Sequence, residues 1–262
     1  MIRQVKNLVN GKWINSKANF IIPNVLTGKP NFYVPETNVN ELKPFVDSLS
    51  KIPKSGLHNP FKNPERYNML GDVCFKTAND LHQKEIQEDI INSIISVTGK
   101  SYQQAYGELV VSRRFLENFS GDQVRFTAKG FNVSGDHFGQ MSNGFRWPYG
   151  PVAIIAPFNF PLEIPLLQLM GALFMGNKPL LKVDSKVAIV MESIIKLLHK
   201  NGLPMNDVDF INCQGDIMNE LLIRSNPRMT QFTGSSRVAN KLCSDLNGKI
   251  KIEDAGFDWK II

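Results

Sequence analysis

The sequence predicts an α/β fold: a Rossmann-like parallel sheet of βαβ units, preceded by a helical N-terminal region and an extended β-ribbon. Two observations carry this. From Pro151 onward, short apolar runs alternate with stretches of helical periodicity, bounded by glycine, proline or serine. Such alternation marks strand–helix–strand crossovers, which are right-handed and build a parallel, doubly wound layer. The first two runs, Val152-Ala-Ile-Ile155 and Pro179-Leu-Leu-Lys-Val183, are apolar nearly throughout, as in strands covered on both faces. The division expected is 1–123 as an N-terminal helical part, 124–150 as a β-ribbon, and 151–262 as the Rossmann-like core.

In chain order, Asn10-Gly11 between Val9 and Ile14 predicts a short hairpin. Residues 23–64, rich in Pro and Asn, read as loops with one helix near 40–50. Pro64 opens a helix over Tyr67–Asn79, and Asp80–Thr98 continues in helical register until Gly99 stops it. Ser101 starts a long helix in which Tyr102, Ala105, Tyr106, Leu109, Leu116 and Phe119 share one face, expected to pack in the core. Val124–Trp147, punctuated by Gly130, Gly135, Gly139 and Gly144, reads as an extended ribbon with open edges. Five strands follow, at Val152–Ile155, Pro179–Val183, Val208–Asn212, Met229–Thr233 and Lys249–Glu253. Helices at Leu162–Met175, Lys186–Lys200, Asp216–Ser225 and Ser235–Leu246 connect them.

Composition excludes several classes. The 262 residues are 42% hydrophobic and 21% charged, enough to bury a core. The formal charge of +6 is spread without a run of like charges, so a nucleic-acid arm is not expected. Three cysteines exclude a dense disulfide framework, and His58, His82, His137 and His199 have no metal-ligand spacing. The longest apolar region, Pro151–Met175, is broken by Asn159, Glu163 and Gln168, so no membrane insertion is expected. The opening MIRQVKNLVN shows neither a secretory core nor a presequence.

In a doubly wound sheet, ligands bind at the carboxyl ends of the strands. After the first strand comes Ala156-Pro157-Phe158-Asn159-Phe160-Pro161. Asn159, held between prolines, either caps the following helix or donates to a developing oxyanion. Lys182, after the second strand, is either a solvated edge lysine or a ligand of ribose or phosphate oxygens. After the fourth strand, Gly234 permits close backbone approach, and Ser235-Ser236 open a helix whose amides suit an anion or are simply capped. After the fifth, Glu253-Asp254 is either a surface pair or places one carboxylate as a general base.

In that order, Pro157-Phe-Asn-Phe-Pro161, Gly176-Asn-Lys-Pro-Leu-Leu-Lys182, Phe232-Thr-Gly-Ser-Ser-Arg-Val238 and Glu253 resemble the aldehyde dehydrogenase superfamily and its NAD-binding domain. Gly56-Leu-His-Asn-Pro-Phe61, Lys100-Ser-Tyr-Gln-Gln104, Gly121-Asp-Gln-Val-Arg-Phe126, Arg146-Trp-Pro-Tyr-Gly150 and Glu253-Asp-Ala-Gly-Phe-Asp-Trp-Lys260 narrow the resemblance. They are similar to the plant-type mitochondrial delta-1-pyrroline-5-carboxylate dehydrogenase branch. The resemblance covers nearly the whole chain from about Gly11.

The resemblance implies NAD-dependent oxidation of glutamate γ-semialdehyde in proline catabolism. A cysteine thiolate attacks the aldehyde, and a Glu-activated water releases the acid. Asn159 then matches the oxyanion Asn and Glu253 the base. Ala156, Pro157, Phe158, Lys182, Ser185, Gly234 and Ser235 match cofactor-binding positions. Phe158 stands where many members carry Trp, and Ala239 replaces a common Gly. Ser185 stands where NAD-preferring members carry a Glu, which removes one discriminator against NADP. The family's nucleophile lies downstream of Glu253, and Cys74, Cys213 and Cys243 lack its context. The expectation is therefore an N-terminal, cofactor-binding part that lacks the catalytic domain and is inactive alone, with Trp259-Lys-Ile-Ile262 an interrupted strand. The alternative is a non-catalytic dinucleotide-binding or regulatory fragment. The resemblance further implies an oligomerisation-type hairpin for the 124–150 ribbon, a mitochondrial-matrix location and a homo-oligomeric full-length enzyme, with assembly of this part alone in doubt.

Overall fold

The computed structural model describes residues 2–254 and Gly256; the Trp259–Ile262 tail lies outside the described residues. The first half holds β1 (Arg3–Gln4), β2 (Asn7–Val9), β3 (Lys12–Ile14), β4 (Asn19–Pro23), β5 (Pro30–Pro35) and α1 (Lys43–Ser50). Helices α2 (Glu65–Asp80), α3 (Lys84–Thr98) and α4 (Tyr102–Asn118) lead to the ribbon β6 (Phe131–Ser134) and β7 (Met141–Gly144). Then β8 (Pro151–Ile155), α5 (Glu163–Phe174), β9 (Lys178–Lys182), α6 (Ala188–Lys200), β10 (Asp209–Phe210), α7 (Gly215–Ser225), β11 (Met229–Gly234), α8 (Ser236–Asp245) and β12 (Ile250–Asp254) alternate as expected.

The main sheet runs β12-β11-β8-β9-β10-β2-β3. Its first five strands are parallel, and the order reverses between β8 and β11, which are direct neighbours. That reversal opens a crevice beyond their carboxyl ends. Successive residues of each central strand enter opposite cores. Ile154, Leu181 and Phe210 face the cluster under α2–α6, whereas Ala153, Leu180, Ile211 and Phe232 face the cluster under α1, α7 and α8. Of these, each Ile, Leu and Phe side chain contributes roughly 1.5–3 kcal/mol by leaving water. Helix boundaries follow local chemistry. Ser101 and Gln104 form a reciprocal capping box at the start of α4, and Gly99 ends α3 in the left-handed conformation.

Five expectations need correction. The N-terminal part is more than helical: the β2–β3 hairpin, turning at Asn10 and Gly11 with positive φ, joins the sheet beside β10. Residues 23–64 also contain β5, whose prolines sit at its two ends, where the ladder tolerates them. Tyr102 and Tyr106 do not pack in the core. They stack on each other at 51% and 40% exposure, with the Tyr102 hydroxyl donating to Glu88. Residues 121–128 form a 3-10 turn anchored by buried Val124, so the ribbon is limited to β6–β7. The helical stretch expected over Asp80–Thr98 breaks at 81–83, where buried Leu81 pins a turn.

Buried His58 ties the loop before α2 to the end of α5. Its Nε2 lies 3.1 Å from Phe174 O, and its Nδ1 accepts from Arg66 Nε at 3.3 Å. Burial pushes its pKa down from 6.5 to about 4. The folded protein keeps the ring neutral where the unfolded chain takes a proton. Its contribution is therefore complete above pH 6.5 and is lost as pH falls toward about 4, at roughly 1.4 kcal/mol per pH unit. Calorimetry between pH 7 and pH 4.5 should show a steeper fall of Tm for the native chain than for His58→Gln. Equal slopes would show that His58 plays no part.

Candidate active site

Two adjoining cavities occupy the crevice at the β8–β11 reversal. The first, about 330 Å³, is bounded by Ala156, Pro157 and Phe158 from the end of β8, Lys182 and Asp184 after β9, and Gly234 and Ser235 after β11. Met218 of α7 and Val238 and Leu242 of α8 give it an apolar side. No side-chain cap closes the first turn of either helix, and Gly215 and Ser235 bring both N-terminal ends to the cavity wall. Uncapped helix starts present free amides and a partial positive charge. A Cβ on Gly234 would fall 2.7 Å from Cζ of Phe232, so only glycine leaves this wall open without moving the ring. The Lys182 ammonium donates to its neighbour's carbonyl, Val183 O, at 3.1 Å.

The second cavity, about 490 Å³, is bounded by Asn159, Phe160, Ile164, Glu253 and Asp254, and shares Pro157, Phe158, Thr233, Gly234 and Ser235 with the first. Phe158, 60% exposed, forms much of the partition. Asn159 does not cap α5. Its Oδ1 accepts from the Phe160 N–H at 3.2 Å, and its Nδ2 meets no acceptor among the described residues. Thr233 Oγ1 accepts from Gln168 Nε2 at 2.8 Å, which ties the end of β11 to α5. Glu253 is exposed, because β12 forms the edge of the sheet among the described residues.

Of the residues singled out in the sequence, Ala156, Pro157, Phe158, Lys182, Gly234 and Ser235 come together on the first cavity, and Asn159 and Glu253 on the second. Ser185 lines neither; it opens a short 3-10 turn. Sequence reading passed over Gly215, Met218 and Asn219 on α7 and Val238 and Leu242 on α8. Their helical spacing just after Gln214 and Ser235 was the available signal, since the first turns after the third and fourth strands border the crevice.

A model of the aldehyde dehydrogenase family matches residues 65–255. The chain belongs to the aldehyde dehydrogenase family. It is 60% identical over 259 residues to a probable aldehyde dehydrogenase of Linum usitatissimum, covering 99% of this chain and 47% of that protein. It is 59% identical over the same length to the mitochondrial delta-1-pyrroline-5-carboxylate dehydrogenase 12A1 of Arabidopsis thaliana, again 99% of this chain and 47% of the relative. The chain thus spans about half the length of these curated relatives. In fold it matches an NAD-dependent aldehyde dehydrogenase structure from Sinorhizobium meliloti, with a TM-score of 0.82 at 21% identity, covering 97% of this chain and 50% of the other.

None of the three cysteines lines either cavity. Cys74 is buried in α2 and Cys213 just after β10, and burial pushes both thiols up to about 12. Cys243 is exposed on α8. A reactive thiolate needs the opposite environment, with neighbours that lower the pKa.

Proposed function

We propose that this chain forms the NAD-binding side of an enzyme oxidising L-glutamate γ-semialdehyde, the open form of pyrroline-5-carboxylate, to glutamate. The observation that carries the reading is the wall shared by the two cavities. Phe158, Gly234 and Ser235 border both, so ligands seated on either side are neighbours. The substrate is carried over from the Arabidopsis relative, as is a mitochondrial-matrix location. Assembly as a homo-oligomer is supported by the β6–β7 ribbon, which exposes Phe131, Val133 and Met141.

The first cavity fits a dinucleotide. Apolar Met218, Val238 and Leu242 suit a flat ring, bare backbone at Gly234 and the amides after Ser235 suit a pyrophosphate, and Lys182 suits ribose oxygens. A dinucleotide held there would supply the acceptor for the hydride that leaves the aldehyde carbon. Ala156, Pro157 and Phe158 would line its site at the end of β8. Asn159 donates from Nδ2 to the oxygen that becomes negative when a thiolate adds to the carbonyl. Glu253, on the same cavity, takes a proton from the water that splits the resulting thioester. The thiolate comes from outside Cys74, Cys213 and Cys243.

Calorimetric titration of NAD into the 262-residue chain tests the binding half. Saturable binding is expected, weakened about tenfold by Lys182→Ala through loss of a charged donor. Incubation of the same chain with glutamate semialdehyde and NAD should give no steady NADH. Absence of binding, or steady NADH abolished by Asn159→Ala, would overturn the reading.

A further inference from the structure

Behind the Pro157–Pro161 turn lies a charged pair that the chemistry above leaves without a role. Glu108 projects from α4 with its side chain 0% exposed. Its Oε1 accepts from the backbone N–H of Leu162 at 2.8 Å and of Glu163 at 3.1 Å. These residues open α5, whose own N-cap position, Leu162, offers no side-chain oxygen. Glu108 Oε2 lies 2.7 Å from Lys100 Nζ. The same ammonium sits 3.9 Å from the centre of the Phe160 ring, and the Phe160 N–H donates to Asn159 Oδ1. Contacts therefore run without a gap from a buried carboxylate to the side chain of Asn159.

The arrangement meets a specific need. A carboxylate without exposure is tolerated only where its charge meets donors, and here two amides at the positive end of a helix and one ammonium supply them. A cap supplied by the turn itself would have to use Asn159 or a neighbour, and would draw the amide away from the cavity. A cap reaching in from α4 leaves Asn159 free. The crowding is felt next door, where Glu163 has its pKa raised by burial and by the nearby Glu108 charge.

We propose that Glu108 and Lys100 are positioning residues for Asn159. Glu108 fixes where α5 begins, and Lys100, through the Phe160 ring, fixes the orientation of the turn and so the direction of the Asn159 NH2 group. The proposal rests on Asn159 as the oxyanion donor, but its test reads the position of that group rather than turnover.

The experiment is nitrogen-15 NMR of the 262-residue chain. In Glu108→Ala the Leu162 and Glu163 amides should exchange about tenfold faster, the size of a lost helix cap. Glu108→Gln, which keeps an acceptor, should restore most of that protection. Lys100→Met should leave those two amides protected while shifting the Phe160 amide and the Asn159 side-chain NH2 resonances, and Lys100→Arg should return them toward the native positions. If Glu108→Ala does not fold, Lys100→Met, which nearly conserves volume, decides the matter. Native Asn159 and Phe160 resonances in folded Lys100→Met would overturn the proposal. If Asn159→Ala leaves turnover unchanged wherever this chain works with a nucleophilic thiol, the oxyanion reading fails while the positioning result stands.

Discussion

On the function proposed above, Asn159→Ala is expected to lower kcat by about 100- to 1000-fold wherever this chain works with a nucleophilic thiol, the range for loss of one oxyanion donor. Asn159 borders a cavity in which no other side-chain amide lines the wall among the described residues. The loss should fall on kcat and kcat/KM together, because the donor meets full negative charge only in the transition state. NAD affinity should stay within about twofold, since Asn159 borders the second cavity and not the first. Asn159→Asp should be at least as damaging, because a carboxylate in the same place repels the oxyanion. Single-turnover kinetics beside an NAD titration checks this. An equal loss of binding and rate would place Asn159 in the cofactor site instead.

Gly176→Ala is expected to carry a large stability cost, at least about 3 kcal/mol, lowering Tm by roughly 6–12 °C for a domain of this size. Gly176 ends α5 at a φ of +86°, where an L side chain is strained before any contact is counted. The added Cβ would fall 1.9 Å from His58 O, a backbone atom that cannot swing aside. Gly176 O also accepts from Leu57 N at 2.7 Å, so the two segments cannot part without breaking that bond. Because α5 and β9 flank this residue, the damage should spread to both cavities. Differential scanning calorimetry measures it, and a Tm within 2 °C of native would show that the junction is softer than this account requires.

The alternation after Pro151 was legible because each strand and helix there is defined by its own residues. The five parallel strands lie within a few residues of their expected places. The third is the shortest, Asp209–Phe210, because only those residues meet the β9 ladder. The strand-end residues were legible for the same reason: in this topology the residue leaving a strand is the residue facing the crevice. What escaped depends on distant partners. β5 reads as a loop until β1 and β4 are known to flank it. Tyr102 and Tyr106 satisfy helical periodicity, yet α4 buries only the narrow stripe of Ala105, Glu108, Leu109, Ser112 and Leu116. An acid on that stripe was a visible signal, since a buried glutamate needs partners; the partners, at Lys100 and at the start of α5, could not be read from spacing.

The pairing of Leu8 with Phe210 also has a temporal side. The β2–β3 hairpin leaves the ribosome about 200 residues ahead of the strand it pairs with. At roughly 5–20 residues per second that is a wait of about 10–40 s. Throughout it, β2 presents an unpaired edge carrying the apolar Leu8 and Val9, the kind of edge that recruits foreign strands. Its docking partner β10 contributes only Asp209 and Phe210. The nascent chain is thus most exposed to misassembly before β10 appears, and a chaperone that shields the β2–β3 hairpin would help most in that interval.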